Sequence, residues 1–355
     1  MNKLTFLFLF ALPIASSAQK KQFTFEQLFR GRYPAVFTNL PDISGWADDD
    51  HYLQVKDSAG KEITYSVDAL TGRSVLYAKP AEPALPQIDS ARNITASPDG
   101  RFVAYTRKNN LFIKERLSGK ETALTTDGSD SVMNGYASWV YYEEILGRVS
   151  HYKAFWWSPD SKQIAYMHFD DSHVPVFPIY IAEGQHGFLE NQRYPKAGDH
   201  NPEVKIGIVQ ITGGPAVWAD FKPADDQYFG QPEWTPGNEL WVQWMNRRQN
   251  NLIVYKIDKN NGSKKEIYNE KQDTWIALDD LDRFTFLSDN KSFIFKSDKD
   301  GWDNLYHFDI NGKLINQITK GNFWNTEIIY LDQKNKQVYI RARKDNSSRF
   351  DVYKV

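Results

Sequence analysis

Three absences in the 355-residue sequence narrow what this chain can be. It has no cysteine, which excludes disulfides, thiolate nucleophiles and cysteine-ligated zinc or iron–sulfur sites. Its 43 basic and 45 acidic side chains leave a net charge of -2, without the basic excess that is typical of nucleic-acid-binding proteins. Beyond the N-terminus, no apolar run approaches the ~20 residues that cross a bilayer. We therefore expect no nucleic-acid partner and no membrane span.

The N-terminus has the layout of a secretory signal. Lys3 precedes an apolar run over residues 4–15, and small residues occupy positions 16–18. The run is too short for a transmembrane helix, which argues against a short membrane anchor. A basic, then apolar, then small-residue order is typical of a signal peptide. We predict a signal peptide over residues 1–18, cleavage after Ala18, and a periplasmic or secreted location.

Aromatic residues and short turns are abundant. Aromatics make up 15% of the chain, which favours strands because these side chains pack well on a pleated surface. In residues 94–128, a Pro-Asp-Gly turn at 98–100 precedes two strand-like segments and a Ser-Gly-Lys turn. Similar units recur along the chain, at residues 43–73, 155–214, 233–262 and 286–313 and from 325 onward. A sandwich or barrel would not explain a turn repeated at the same point of each unit.

Repeated units of a few antiparallel strands predict an all-β fold of the β-propeller class. We assign the propeller to residues 41–355, with about six blades visible and the last lacking its closing strand. Residues 19–40 form an N-terminal segment. An insertion over residues 181–203 separates the strands of one unit, and loops of that length are usually functional or disordered. Residues 143–148, Glu-Glu-Ile-Leu-Gly-Arg, are the best candidate for a short helix that leaves a blade.

Two adjacent carboxylates, Glu143 and Glu144, occur among aromatic residues in the segment Trp-Val-Tyr-Tyr-Glu-Glu. Like charges repel, and burial disfavours both ionised forms. A cation between the two side chains would relieve both effects. The alternative is a solvated acidic pair at the start of a surface helix, where the helix dipole favours carboxylates.

This segment and the following Ala-Phe-Trp-Trp-Ser-Pro-Asp resemble the propeller of the dipeptidyl peptidase IV family, in the prolyl oligopeptidase class of serine peptidases. Residues 193–209 and 297–309 resemble further segments of that propeller, in the same order, and the resemblance runs from about Asn93 to the end. It implies an eight-bladed propeller followed by an α/β-hydrolase domain with a Ser-Asp-His triad. It also implies that Glu143 and Glu144 bind the free amino terminus of a peptide, so the missing cation would be the substrate's α-ammonium.

The chain departs from the family pattern in three respects. It contains no Gly-x-Ser-x-Gly elbow and no alternating strand–helix pattern, so we expect the hydrolase domain to be absent and this chain to be inactive alone. The family's arginine that contacts the substrate carbonyl has no residue-for-residue match, although Arg148 and Arg92 are candidates. Finally, Ser138 and Tyr142 stand where the family tends to have an aspartate and a third acid.

Two functional hypotheses remain open. The first is the substrate-gating, amine-binding propeller of a secreted serine exopeptidase, which releases N-terminal dipeptides of the Xaa-Pro or Xaa-Ala type from peptides with a free N-terminus. The second is a non-enzymatic envelope propeller that binds peptides or protein partners. None of the seven histidines forms a pair with metal-ligand spacing, so we predict no metal and no cofactor. The oligomeric state stays open, a homodimer included.

Overall fold

The computed structural model describes residues 23–29, 41–48, 50–58, 60–78, 84–278 and 283–355. The chain divides into two compact units, Met1–Pro83 and Ala84–Val355. The predicted signal peptide lies outside the described residues, as does most of the predicted N-terminal segment. Among the helices of the described part, none is long and apolar enough to cross a membrane.

The described residues of the first unit form one short helix and one sheet. Helix α1 (Phe25–Phe29) begins after Thr24, whose Oγ1 accepts a hydrogen bond from the backbone N–H of Gln27 at 3.2 Å, while the Gln27 side chain accepts one from the N–H of Thr24 at 3.0 Å. This reciprocal pair is a capping box. Four antiparallel strands follow in chain order: β1 (Asp42–Trp46), β2 (His51–Ser58), β3 (Lys61–Asp68) and β4 (Ser74–Leu76).

The described residues of the second unit form five antiparallel sheets of three or more strands, which follow one another along the chain, and one two-stranded hairpin. The first consists of β5 (Arg92–Ala96), β6 (Phe102–Arg107), β7 (Asn110–Glu115) and β8 (Glu121–Ala123). The second begins with β9 (Val132–Asn134), β10 (Phe155–Trp157) and β11 (Gln163–Asp170). After β11, β12 (Val176–Ile181) and β13 (Phe188–Arg193) form a separate hairpin. The chain then returns to the second sheet, which β14 (Glu203–Gln210) and β15 (Val217–Trp218) complete.

The remaining three sheets repeat the antiparallel pattern. The third has β16 (Gln227–Phe229), β17 (Glu233–Trp234), β18 (Leu240–Asn246), β19 (Asn251–Ile257) and β20 (Lys264–Lys271). The fourth has β21 (Phe284–Phe286), β22 (Ser292–Ser297), β23 (Asn304–Asp309) and β24 (Leu314–Gln317). The last has three strands, β25 (Trp324–Asp332), β26 (Gln337–Arg343) and β27 (Asp351–Lys354). The expected lack of a closing strand in the last unit matches this sheet.

The repeated Ser-Pro-Asp turn has a structural reason. Ser97 lies at the end of β5, where its Oγ donates to Asp99 and accepts from the backbone N–H of Phe102 at 3.0 Å. Ser158 makes the equivalent contacts with Asp160 and with the N–H of Gln163. Because each buried hydroxyl satisfies the first N–H of the next strand, the turn fixes the register of the hairpin that follows.

Large aromatic side chains fill the space between successive sheets. Trp241 on β18 is 1% exposed, and its ring lies 5.0 Å from that of Phe293 on β22 at an interplanar angle of 89°. Phe284 and Phe286 on β21 contact the same indole. Such edge-to-face pairs add specific geometry to the burial of apolar area. The aromatic richness of the sequence is therefore used where one sheet packs on the next.

Two expectations about irregular segments need correction. The helix expected at residues 143–148 begins earlier and ends sooner: α2 spans Trp139–Glu144, and a separate 3₁₀ turn covers Arg148–Ser150. The insertion expected as a loop over residues 181–203 is partly regular, because its residues 188–193 form β13, which pairs with β12 from Val176↔Arg193 to Ile181↔Phe188.

Candidate functional site

Helix α2 interrupts the first strand of the second sheet. Strands β9 and β10 both pair with β11, so they are two halves of one edge strand. Between them, Tyr136 and Lys153 form an isolated antiparallel bridge, and the N–H of Ala137 donates to the carbonyl of Tyr152 at 2.8 Å. The chain thus leaves the edge strand after β9, forms α2 and the 3₁₀ turn, and rejoins the same edge strand at β10.

Buried hydrogen bonds fix α2 to its surroundings. The Ser138 Oγ donates to Asp171 Oδ2 at 2.9 Å, and both residues are buried. The Tyr141 hydroxyl accepts from the backbone N–H of Phe229, on β16, at 3.2 Å, and its ring meets Phe169 edge-on at 4.9 Å. Since the first residues of α2 are held in this way, the position of its last turn is set by the fold.

Glu143 and Glu144 are the last two residues of α2. The Arg148 Nε donates to Glu143 Oε2 at 2.6 Å, and the two side chains are 75% and 15% exposed, respectively. Glu144 is exposed, and among the described residues none donates a hydrogen bond to its carboxylate. The structure therefore gives the two members of the pair different environments.

The pair does not lie at the start of a helix, as the alternative interpretation assumed, although Glu144 is exposed to solvent as that interpretation expects. Carboxylates gain from the helix dipole at an N-terminus and lose from it at a C-terminus, and both glutamates lie at the C-terminal end of α2. The hydrogen bond that Arg148 donates to Glu143 instead raises the pKa of Arg148, as expected for a close ion pair. A cation at the pair is thus present in the structure, and it is a side chain of the same loop.

A stack of tyrosines supports the loop that carries Arg148. His151 and Tyr152 have positive φ values of 48° and 66°, which is uncommon for residues with a Cβ and reverses the chain direction. The Tyr152 ring then lies 3.7 Å from that of Tyr142 on α2 and 4.9 Å from that of Tyr136. The Arg92 guanidinium covers the far face of this group, 4.9 Å from the centroid of Tyr136.

A cavity of about 750 Å³ lies beside this stack. Its walls include Arg92, Tyr136 and Tyr152 on one side and residues 190–193 of β13 on the other; the two glutamates are not among the residues that line it. Tyr152 lines this cavity, and burial raises its pKa to about 12, with smaller contributions from Tyr136, Tyr142, Glu143 and Glu190.

The hairpin that borders the cavity is held by one arginine. Arg193 Nη1 donates to the carbonyls of Asp171 and Val174, both at 3.0 Å, and to that of Ser172 at 3.4 Å. Burial raises the pKa of Asp171 to about 6 even though Ser138 donates to its carboxylate. Its other oxygen, Oδ1, has no hydrogen-bond partner among the described residues.

Sequence reasoning placed the two glutamates together but missed the residues that organise them. Arg148 and Arg92 were candidates for contact with a substrate carbonyl; in the structure they lie against Glu143 and Tyr136. The Ser138–Asp171 contact joins residues 33 positions apart. Only the aromatic residues around the pair could have indicated the tyrosine stack, since no sequence spacing links Tyr136, Tyr142 and Tyr152.

The model of the dipeptidyl peptidase IV (DPP IV) N-terminal region matches residues 48–355. The chain belongs to the dipeptidyl peptidase IV family. Among curated relatives, the probable dipeptidyl peptidase 4 of Aspergillus clavatus is 31% identical over 275 residues, which cover 73% of this chain and 35% of that protein. The inactive dipeptidyl peptidase 10 of Mus musculus is 27% identical over 269 residues, covering 72% of this chain and 33% of that protein.

A solved structure shows the same fold. The crystal structure of Porphyromonas gingivalis dipeptidyl peptidase 4 superposes with a TM-score of 0.68 and 25% identity, covering 92% of this chain and 46% of that one. The predicted all-β propeller, with six blade-like sheets and very few helices, is therefore confirmed. The chain spans about a third of the length of the curated relatives that it matches.

Proposed function

We propose that this chain is the substrate-gating propeller of an exported serine-type dipeptidyl peptidase, and that Glu143 and Glu144 bind the α-ammonium of a peptide substrate. The observation that carries the proposal is the geometry of the pair. Two glutamates adjacent in sequence end a helix that is anchored by buried hydrogen bonds; the carboxylate of one has no donor among the described residues, and that of the other is bonded to an exposed arginine. An ammonium group has three N–H donors and can bond to both.

Binding of the amine would also set the cleavage position. A fixed amino terminus leaves the scissile bond at a constant number of residues from the glutamates, which favours release of dipeptides and spares internal bonds. The hydrolase domain with its triad, the preference for Xaa-Pro or Xaa-Ala, the periplasmic or secreted location and a homodimer belong to the same proposal.

The test uses the full-length gene product and a Gly-Pro chromogenic amide. A charge-assisted hydrogen bond contributes about 1.5–3 kcal/mol, so Glu144→Gln should lower kcat/KM by about 10- to 150-fold. Reaction with a small serine-directed phosphonylating probe should change little, because that probe has no amine to bind. Glu62→Gln, at an exposed position on β3, is the matched control.

Parallel loss of amide hydrolysis and probe reaction in Glu144→Gln would contradict the amine assignment and indicate a structural role. An N-acetylated substrate adds a second check. It should be poor with the unaltered protein, and Glu144→Gln should make it no poorer.

The second candidate is a non-enzymatic propeller that binds peptides or protein partners. The 27% identity to a relative whose name describes it as inactive favours keeping this alternative. The reading frame past codon 355 distinguishes the two. A Gly-x-Ser-x-Gly elbow followed by an aspartate and a histidine in strand–helix context would support the peptidase, and a hydrolase-like region without the serine would support the binding protein.

A further inference from the structure

We propose that Arg148 is a specificity-determining residue, which favours an acidic and disfavours a basic first residue in the bound peptide. The inference rests on the proposed binding of the amino terminus by Glu143 and Glu144. It concerns the side chain of the peptide's first residue. The two glutamates are negatively charged, so they would not by themselves favour an acidic side chain there.

Glu143, Glu144 and Arg148 form a charged cluster, and its net charge affects which first residue it favours. Glu143, Glu144 and Arg148 together carry one net negative charge, and a single α-ammonium balances it. A first residue with a basic side chain brings a second positive charge, which nothing in the cluster matches. A first residue with an acidic side chain brings a negative charge toward a guanidinium that is 75% exposed.

Arg148 also has hydrogen-bonding capacity for a ligand. A guanidinium has five N–H donors in a planar fork, and Arg148 uses its Nε–H on Glu143. Within the described part of the chain, its other N–H groups have no hydrogen-bond acceptor. These donors are therefore available to a carboxylate, and bidentate contact with carboxylates is the interaction for which the fork is suited.

The first side chain of a bound peptide can come close enough to Arg148 for their charges to interact. An α-ammonium bonded to Glu143 lies roughly 3 Å from the carboxylate, and Arg148 Nε lies 2.6 Å from the same group. The first side chain starts two bonds from the ammonium nitrogen, so its charged end can come within about 6 Å of the guanidinium. Coulomb's law for unit charges at that separation, in a solvent-exposed setting, gives about a 3- to 10-fold effect on binding.

The loop fixes Arg148 before a ligand arrives. The stack of Tyr142 on Tyr152 at 3.7 Å ties the 3₁₀ turn to α2, and the ion pair closes the same short loop. A charge that is already in place costs little further ordering when a ligand binds.

The experiment compares three chromogenic amides, Glu-Pro, Gln-Pro and Lys-Pro, with the full-length gene product. For Arg148→Gln, the ratio of kcat/KM for Glu-Pro to that for Lys-Pro should fall at least 10-fold; Gln-Pro, whose first side chain is uncharged, measures separately how the lost charge affects binding of the amino terminus. Arg148→Lys should retain most of the ratio, and 0.5 M NaCl should reduce it in the unaltered protein because salt screens exposed charges. Arg101→Gln is the control, since Arg101 is 65% exposed and pairs with Glu115 at 3.7 Å on a different sheet.

Failure of this inference and failure of the amine assignment give different results. If Glu144→Gln slows all three substrates but Arg148→Gln leaves the ratio within 2-fold, the amine assignment stands and the role of Arg148 is refuted. If Glu144→Gln slows none of them, the amine assignment fails and takes this inference with it. Binding of Glu-Pro-Ala, Gln-Pro-Ala and Lys-Pro-Ala, followed by tryptophan fluorescence, gives the same comparison without turnover; equal affinities, or no binding of any, would also overturn it.

Discussion

The hydroxyl of Tyr141 holds the helix that carries the glutamates, and removing it should have a measurable cost. The hydroxyl accepts the backbone N–H of Phe229 at 3.2 Å, which joins α2 to β16 of the next sheet. Both residues are fully buried, and burial raises the pKa of Tyr141 far above its ordinary value. Tyr141→Phe keeps the ring and its contact with Phe169 but leaves that N–H without an acceptor.

The expected magnitude follows from the desolvation of the N–H. Water cannot reach the site in the folded state, so the group pays the cost of a buried, unsatisfied donor, about 1–3 kcal/mol. The free energy of unfolding of the second unit should fall by that amount. Loss of the bond should also raise the exchange rate of the Phe229 amide hydrogen by about 5- to 150-fold if local opening is the route of exchange.

Urea unfolding monitored by tryptophan fluorescence measures the first quantity, and hydrogen–deuterium exchange of the peptide that contains Phe229 measures the second. Tyr142→Phe is the matched control. Tyr142 follows Tyr141 on α2, and among the described residues none forms a hydrogen bond with its hydroxyl. It should change the free energy of unfolding by less than about 0.5 kcal/mol. An equally small change in Tyr141→Phe, with unaltered exchange, would refute the claim that this hydrogen bond anchors α2.

Two further predictions concern stability. Burial raises the pKa of Asp171 to about 6. The folded protein therefore holds this proton more tightly than the unfolded chain, and its stability declines as the pH rises from about 4 to about 6. Asp171→Asn should be more stable than the unaltered protein by about 1–3 kcal/mol at pH 8, and urea titrations should show this difference disappearing near pH 4. A difference that does not change with pH would contradict the assignment. Gly312 and Gly301 have nearly equal φ values of 86° and 87°, but a Cβ on Gly312 would lie 1.7 Å from the Ile267 carbonyl oxygen while one on Gly301 meets nothing within 4 Å. Gly301→Ala should cost only about 1–2 kcal/mol for the left-handed conformation, and Gly312→Ala clearly more; equal losses in thermal melts would show that close approach does not matter there.

The repeat was predictable because its signals are local. Each unit carries its own alternating strands and its own turn, and the Ser-Pro-Asp turn works through contacts within five residues, as Ser97 and Ser158 show. The strands at residues 43–73 and 286–313 therefore appear where the pattern places them. The bounds of α2 were less accessible, since its first residues are aromatic and β-branched and favour a strand by propensity. Tertiary contacts of Ser138 and Tyr141 override that preference.

The site was predictable only in part, for the same reason. Adjacency in sequence brings Glu143 and Glu144 together whatever the fold, but the partner of each depends on how the loop closes. Arg148 lies just after Gly147, which has a φ of 71°, and it reaches back to Glu143. The second reversal, which brings Tyr152 onto Tyr142, uses His151 and Tyr152. Neither of these is glycine, so composition gave no indication of that reversal.

The stability of the chain offers no explanation for Glu144. Its neighbour Glu143 is a like charge, the C-terminal end of α2 disfavours a carboxylate, and no described residue donates to it. Among the described residues, the cation that pairs with these glutamates is Arg148, which is bonded to Glu143 and largely exposed. An exposed ion pair contributes at most about 1 kcal/mol. An arrangement that costs free energy in the unliganded protein, and that a single ammonium would neutralise, supports a role for Glu144 in binding a ligand. Glu144→Gln should therefore raise the melting temperature slightly and lower the affinity for peptides with a free amino terminus. If Glu144 only stabilised the fold, the substitution would lower the melting temperature together with the affinity.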